Sequence, residues 1–475
     1  MERKQYLAKN TALFALNIIG TKLIVFLLVP LYTRVLSTAD YGSIDLVTTI
    51  GIIIVPIITL NINEAIMRFG LDKNANYTDI TSIAVLFTAV SFALGLIIFP
   101  IVKLFPSIHI SAWLVYLYCI AQGAYLTFSF VLRGQEKLSQ YAIGNIACTL
   151  LIAGFNLVFL LGFDLGIRGY FFSYIISYFL CTVYFIVVGK AFSFKKYHFD
   201  KSLIKDMVKY SILLVPNSLM WWIMNSSDHI MVSSMIGFAA NGIYAISYRI
   251  PSILTAFSQV INQAWSYSAI HEDDSPDRTE FNNNMYDKLV RFQLIVTVLL
   301  MLLIKPFLKV YVDDSFYDAW KYTPYLLIGY FFLTMGTFLS TSYTVNKDSK
   351  GFLYSGSIGA GLNVVLNLIL IPVFGIHGAA FATCISYISV FIYRYFDIRK
   401  YVVIRAFKKE YIIGYLIMIL SAFTMAIPYE WGYLLLAFET SLIVFLNRSI
   451  VKEAHKLIIS LLRKKRHYEI NQNNM

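Results

Sequence analysis

The chain has 475 residues, 58% of them hydrophobic and 14% charged, with a net charge of +12 and a mean hydropathy of +0.66. Soluble domains carry about 25% charged residues, so a water-soluble globule is excluded and the solvent is lipid. The positive charge is parcelled out between apolar runs, which excludes a nucleic-acid surface.

A membrane-spanning helix needs about 20 mostly apolar residues. Runs of that kind recur about 14 times, near 10–33, 43–66, 81–104, 112–132, 141–163, 169–189, 209–236, 241–268, 289–309, 320–345, 352–373, 377–396, 411–428 and 432–449. The expected fold class is all-α, a polytopic membrane protein. The runs are too long for barrel strands and do not alternate. Most of the 39 Lys and Arg fall in the two tails and the even-numbered connections. This pattern places both termini in the cytoplasm. The basic clusters Lys190 to Lys209, Arg394 to Lys409 and Arg448 to Arg466 read as topology signals beside anionic lipid.

The first run follows Met1-Glu2-Arg3-Lys4 and is too long for a cleavable signal, so it is expected to remain as an anchor. Lys22 lies near its middle. A cation at that depth costs about 2.5–3.5 kcal/mol and needs a reason: a cleft-facing cation, or pairing with a buried carboxylate or carbonyl. Next comes Ala39-Asp40-Tyr41-Gly42-Ser43-Ile44-Asp45-Leu46. It reads as a glycine-centred turn from which an apolar helix departs. Asp45 is either a helix-start residue or an ion-coupling carboxylate. The second run holds Pro56, a kink position, and ends on Glu64 and Arg68. These are four apart and can pair on one face, as a cytoplasmic gate or as a solvated pair at the rim.

The cysteines Cys119, Cys148, Cys181 and Cys384 all fall in apolar runs without metal spacing and read as reduced packing residues. The stretch Lys190 to Lys209 alternates lysines with Phe192, Phe194, Phe199 and Leu203. It suits a helix lying on the cytoplasmic leaflet. The seventh run carries Asp228 and His229, and Arg249 follows in the eighth, two residues before Pro251. Asp228 and Arg249 are equally far from the intervening turn near Gly237, which sets them at one depth as an ion pair or a gated anion site. His229 is a packing histidine or a proton carrier. His271-Glu272-Asp273-Asp274 lacks metal-site spacing and reads as a solvated acidic turn. There is no phosphate-binding loop, and no cofactor is implied.

The chain repeats itself. Ala239-Ala240-Asn241-Gly242-Ile243-Tyr244 answers the first glycine stretch. Gly375-Ile376-His377-Gly378 followed by Ile385-Ser386-Tyr387 answers Gly166-Ile167-Arg168-Gly169 followed by Ile176-Ser177-Tyr178. The organisation expected is a six-helix lobe over 1–195, an amphipathic linker over 196–208, a second six-helix lobe over 209–400, and two extra helices with a basic tail over 401–475. Two such bundles create a cleft, and rocking one against the other is the physics of a transporter. Cations inside the helices favour an anionic solute, and a phosphate head on a polyprenyl tail suits a cleft open to lipid.

The chain resembles the polysaccharide transporters, the O-antigen and capsule flippases of the multidrug/oligosaccharidyl-lipid/polysaccharide exporter superfamily. The resembling residues are Pro30-Leu31-Tyr32-Thr33-Arg34 with Asp40-Tyr41-Gly42, Glu64-Ala65-Ile66-Met67-Arg68-Phe69, Arg133-Gly134-Gln135-Glu136-Lys137, Gly242-Ile243-Tyr244 with Tyr248-Arg249, Gln263-Ala264-Trp265, and Gly375-Ile376-His377-Gly378. The resemblance spans nearly the whole chain. It implies a V-shaped pair of lobes in the bacterial inner membrane that flips an undecaprenyl-diphosphate-linked oligosaccharide outward for surface polysaccharide. It also implies a cationic cleft, which Lys22 and Arg249 fit by position. The implied drive is an ion gradient, H+ or Na+, with Asp228, His229 and Asp45 as coupling candidates. A polysaccharide polymerase and a chain-length regulator are implied partners, with membrane lipids around the bundle, no enzymatic activity and no metal. The rival readings are a lipid II flippase, a drug/cation antiporter, and a membrane-embedded polymerase, for which the outer connections are short.

Overall fold

A computed structural model describes residues 20–456, apart from 73–74, 104–109, 192–198, most of 256–274, 428 and 454–455. Among the described residues it is all helix. Among the described residues nine helices are long and apolar enough to cross a membrane, so the chain is a multi-pass membrane protein. Bulky apolar side chains such as Leu213, Val373, Phe423 and Trp431 stand open on the surface. In water such a belt would drive aggregation; in lipid it is the outer face.

The chain divides into two compact units. The first comprises Met1–Arg249, Val310–Ala319 and Ala360–Ala379; the second comprises Ile250–Lys309, Trp320–Gly359 and Ala380–Met475. The first contains α1 (20–35), α2 (Thr38–Ile58), α3 (Ile62–Gly70), α4 (Tyr77–Leu94), α5 (Ala112–Gly134), α6 (Leu138–Asn156), α7 (Gly166–Val188), α8 (Lys201–Met235) and α9 (Phe238–Ser247). A helix α10 begins at Arg249 and is described to 255. Then follow α11 (Arg278–Tyr311), α12 (Thr323–Val345), α13 (Ser349–Phe374), α14 (Ile376–Asp397), α15 (Lys409–Thr424) and α16 (Tyr429–Leu446). In the second unit α12 is the central helix, 78% of its apolar window being buried. Gln293 of α11, Ser258 and Thr334 of α12 join there in a buried hydrogen-bond chain.

Two expected helices are broken. The run read as 43–66 ends at Ile58 and restarts at Ile62, with Leu60 and Asn61 both in the left-handed region. The interruption falls after Pro56 rather than at it. The helix carries on past the proline to Ile58 and breaks where Asn61 tolerates a positive φ. The run read as 241–268 breaks at Tyr248, because Pro251 has no N–H to give the Ser247 carbonyl. Arg249 therefore stands at a helix start.

The glycine stretches are also not turns. Gly42 and Gly242 lie inside the first turns of α2 and α9 with ordinary helical φ. What requires glycine is proximity. A Cβ on Gly42 would lie 1.8 Å from the Phe238 carbonyl oxygen, and one on Gly242 would lie 2.0 Å from that of Thr38. The two copies of the repeated stretch thus pack backbone against backbone. Ser37 caps α2, its side chain accepting from the Asp40 N–H and donating to the Asp40 carboxylate.

The other repeat is legible in geometry. Gly166 and Gly375 both have positive φ, +52° and +58°. Glu136 and Lys347, which end α5 and α12, are also left-handed. In both places the next residue bonds back to a helix carbonyl, Lys137 to Leu132 and Asp348 to Tyr343. The linker expected over 196–208 is not a separate helix where it is described: from Lys201 the chain is the opening of the 35-residue α8, which Asp200 caps by accepting from the Ser202 and Leu203 N–H groups. Phe192 and Phe194 lie outside the described residues, as do His271 to Asp274.

Candidate functional site

Inside the first unit, polar side chains from α2, α8, α9 and the start of α10 meet. Asp45 lies two turns into α2 and accepts from His229 Nδ1 of α8 at 2.6 Å. If Asp45 is ionised, that nitrogen must carry the proton, since a carboxylate only accepts. Asn241 of α9 donates to the same Asp45 oxygen at 3.2 Å and to the Gly42 carbonyl at 2.9 Å. The glycine crossing is therefore clamped by the residue beside one of its own glycines.

Asp228 is almost fully buried. Its carboxylate accepts from the Tyr244 hydroxyl at 2.6 Å, from the Tyr248 hydroxyl, and from the His229 N–H at 3.0 Å. A charge so deep is tolerable only with several donors. Tyr244 and Tyr248 are one turn apart, which lets both reach one carboxylate. Their rings flank His229 at 5.1 and 4.9 Å between centroids. Arg249 reaches back to α2, donating from Nε and Nη2 to the Tyr41 hydroxyl at 3.1 and 2.7 Å. These four residues lie together, Asp45 bonded to His229 and Asn241, Asp228 to the two tyrosines and Arg249 to Tyr41.

Beside this cluster lies a cavity of about 220 Å³. Its walls are single faces of four helices. α1 gives Val25, Val29 and Tyr32; α2 gives Tyr41, Ile44, Asp45, Thr48 and Ile52; α5 gives Tyr118 and Gln122; α7 gives Tyr170 and Tyr174. Each set follows the three- and four-residue spacing of one helical stripe. Arg249 completes the lining. Lys22 precedes Val25 by three residues and so shares the cavity stripe of α1 one turn further out, with its side chain exposed.

The pairing of Arg68 with Glu64 expected from their spacing is not made: Arg68 pairs with Asp72, one turn further on, and both are exposed. Glu64 sits half-buried on the first turn of α3. The tyrosines of the cavity and Asn241 were missed by sequence reasoning. A signal was available: Tyr118 with Gln122 and Tyr170 with Tyr174 each stand one turn apart. All four cysteines are buried. No group of three metal-ligating side chains occurs among the described residues.

Residues 7–267, more than half of the chain, match the family described as polysaccharide biosynthesis protein. The chain belongs to that family. An uncharacterized membrane protein of Methanocaldococcus jannaschii is 25% identical over 297 residues, 59% of this chain and 70% of the relative. The fold is shared with solved transporters. A lipid II flippase, MurJ, in an inward closed conformation has a TM-score of 0.68 at 14% identity, covering 94% of this chain and 99% of its own. An inward-facing multidrug resistance transporter of the MATE family, in the MOP superfamily, has a TM-score of 0.61 at 12% identity, covering 87% and 95%. A MOP superfamily transporter from Pyrococcus furiosus has 0.55 at 12% identity, covering 88% and 97%. The chain is a polysaccharide-family membrane protein with the fold of flippases and transporters.

Proposed function

We propose that the protein flips a polyprenyl-diphosphate-linked oligosaccharide from the cytoplasmic to the outer leaflet by alternating access, in the biosynthesis of O-antigen, capsule or exopolysaccharide. The observation that carries this reading is the cavity among α1, α2, α5 and α7, with Arg249 and Asp45 in its wall and Lys22 on the same stripe of α1. Burying a cation among apolar helices is costly, and an anionic diphosphate gives a reason for it. Family membership supplies the polysaccharide context.

In this reading the lobes are 1–195 and 209–400, joined by the linker 196–208, with 401–475 as the additional helices and basic tail. The protein resides in the inner membrane with both termini cytoplasmic. Asp45 and His229 are the coupling pair: protonating Asp45 would release His229 and loosen α2 from α8, so a proton gradient can be read as a change in helix contact. Asp228 anchors Tyr244 and Tyr248 behind them, and Glu64 with Arg68 marks the cytoplasmic rim. A polymerase and a chain-length regulator act downstream as partners. Protein chemistry on the sugar is not part of the reading, and no cofactor is invoked.

A drug/cation antiporter is the second reading, favoured by one observation, the Asp45 carboxylate in the same cavity wall. The test is complementation. In a strain lacking the chain, Arg249→Ala and Lys22→Ala are expected to reach the membrane in normal amount while surface glycan falls at least tenfold. Full surface glycan with both variants would remove the cationic site from the mechanism.

A further inference from the structure

In the second unit, residues 401–408 join α14 to α15 without forming a helix. Val402, Ile404 and Ala406 are buried, while Val403, Arg405 and Phe407 are exposed. That period of two belongs to an extended chain lying on a surface. Its backbone is pinned from α11. The Asn283 side chain donates to the Val403 carbonyl at 2.9 Å and accepts from the Arg405 N–H at 2.8 Å, and Arg278 Nη2 donates to the Tyr401 carbonyl at 2.9 Å. At the other edge Asp348, just before α13, accepts from the Tyr401 hydroxyl at 2.9 Å. The strap therefore presents one fixed outer face.

That face is basic and apolar by turns. Val403 is 58% exposed and Phe407 44%. Phe407 packs on Tyr395 of α14 with ring centroids 4.8 Å apart. Arg399 lies over the same Tyr395 ring at 4.6 Å and over Phe396 at 5.0 Å, and its Nη2 donates to the Tyr395 hydroxyl at 2.7 Å. Its guanidinium is thus held in place by the protein alone. The acids nearby are already engaged, Asp397 and Asp348 by Lys400 and Asp287 by Arg291. Among the described residues neither Arg399 nor Arg405 has a carboxylate within ion-pair distance. A topology signal needs only charge close to the membrane. It needs neither a pinned guanidinium nor rings set between the cations.

We propose that the outer face of this strap is a headgroup site for one anionic phospholipid of the surrounding leaflet. Arg399 and Arg405 take the phosphate, and Phe396, Val403 and Phe407 take the glycerol and the upper acyl chain. Position argues for a lipid as much as charge does. On either side of the strap the flanking helices turn bare apolar side chains outward, Ile392 and Phe396 on α14 and Ile412 and Leu416 on α15, so the strap borders the lipid belt. A soluble phosphate has no use for the exposed Val403 and Phe407, whereas a phospholipid covers them. Arginine suits the task, since its planar fork meets phosphate oxygens in pairs and still stacks on aromatic rings. A lipid held there bears on α11 through Asn283, and on the turn between α12 and α13 through Lys400 and Asp348. The site lies outside the flippase reading and needs only the membrane fold.

The experiment uses the full chain in mixed micelles of detergent and phosphatidylcholine, with dioleoylphosphatidylglycerol added in steps. Bound lipid is counted by native mass spectrometry, and thermal unfolding is followed in parallel. One phosphatidylglycerol is expected to be retained saturably, in preference to phosphatidylcholine, and to raise the melting temperature. Arg399→Gln and Arg405→Gln should each weaken retention about fivefold, the effect of one basic side chain at a lipid surface, and about twentyfold together. In phosphatidylcholine alone the variants should melt close to the wild type, because exposed side chains contribute little to the fold. Lys201→Gln with Lys205→Gln removes two exposed cations from the start of α8 in the first unit and should leave retention unchanged.

Equal retention of phosphatidylglycerol and phosphatidylcholine, or unchanged retention in the double arginine variant, overturns the site. So does equal weakening by the α8 pair, which would mean diffuse attraction to net charge only. Displacement of the lipid by inorganic phosphate at matched ionic strength would mean a phosphate site in place of a lipid one, and overturns it too. If retention falls in the arginine variants alone, the site stands. Lipid-linked oligosaccharide plays no part in the readout, so a failure of the flippase reading leaves it intact.

Discussion

Replacing Gly42 by alanine should separate α2 from α9. The added Cβ would fall 1.8 Å from the Phe238 carbonyl oxygen and 2.7 Å from the Gly242 nitrogen. A carbon rests against a carbonyl oxygen at about 3.3–3.6 Å, so the helices must part by roughly 1.5 Å. The obstacle is backbone, which cannot rotate away as a side chain can. Overpacking of this kind costs about 1–3 kcal/mol. The separation also strains the Asn241 bond to the Gly42 carbonyl, worth about 1 kcal/mol more. Thermal unfolding can be followed with a thiol-reactive fluorogenic dye, since all four cysteines are buried and label only as the fold opens. Gly42→Ala should melt several degrees below the wild type. Gly154→Ala is the control: it lies in α6 with nothing within 4 Å of its added Cβ, and alanine should gain about 1 kcal/mol of helix propensity there. If Gly42→Ala melts with or above the wild type, the close-approach argument is wrong.

Three further outcomes follow from particular contacts. Asp45→Asn and His229→Ala should each destabilise the protein, and the double variant should cost less than their sum, because removing one partner leaves the other buried and unmatched; additive melting shifts would show that the pair is uncoupled. Tyr244→Phe should lower stability by about 1–2 kcal/mol by taking one donor from the buried Asp228 carboxylate, and unchanged melting would refute that role. Outside the membrane, the Gly351 N–H, with Lys400 and Tyr401, holds the Asp348 carboxyl down to about 2 from an ordinary 3.8. A depressed carboxyl contributes stability above its unfolded pKa, and that contribution is lost as pH falls from about 4 to about 2. Asp348→Asn should therefore flatten the melting temperature across that window; an unchanged acid slope would place the titration elsewhere.

Apolar run length fixed the membrane class, and the repeats gave the two glycine stretches and the paired Gly-Ile-x-Gly turns. The charged residues that needed a reason inside lipid, Asp45, Asp228, His229 and Arg249, do gather in one unit. Their pairing was not legible. It depends on which way each side chain turns, and the breaks at Leu60–Asn61 and at Tyr248 reset the helical phase that depth counting assumes constant. Glycine spacing suggested turns because the residue is common there; only the partner backbone reveals a close approach. The cavity was hidden by abundance. With 34 tyrosines in the chain, five that converge from α1, α2, α5 and α7 carry no mark until the helices are placed. Arg394 shows the reverse error. Read as part of a cytoplasmic charge cluster, it is 2% exposed and donates to the Gly336 carbonyl and to Ser355, because a long side chain near a helix end can fold back into the bundle as readily as it can snorkel out.

The central claim is that the protein moves a lipid-linked oligosaccharide across the membrane. The most direct measurement is the lipid fraction of cells that lack it. The account predicts that a polyprenyl-diphosphate oligosaccharide, one repeat unit long, accumulates and stays inaccessible to probes added outside, and that restoring the chain clears it. Single units that reach the outer face yet remain unpolymerised would contradict the account in favour of a polymerase, and unchanged lipids with altered drug sensitivity would contradict it in favour of an antiporter.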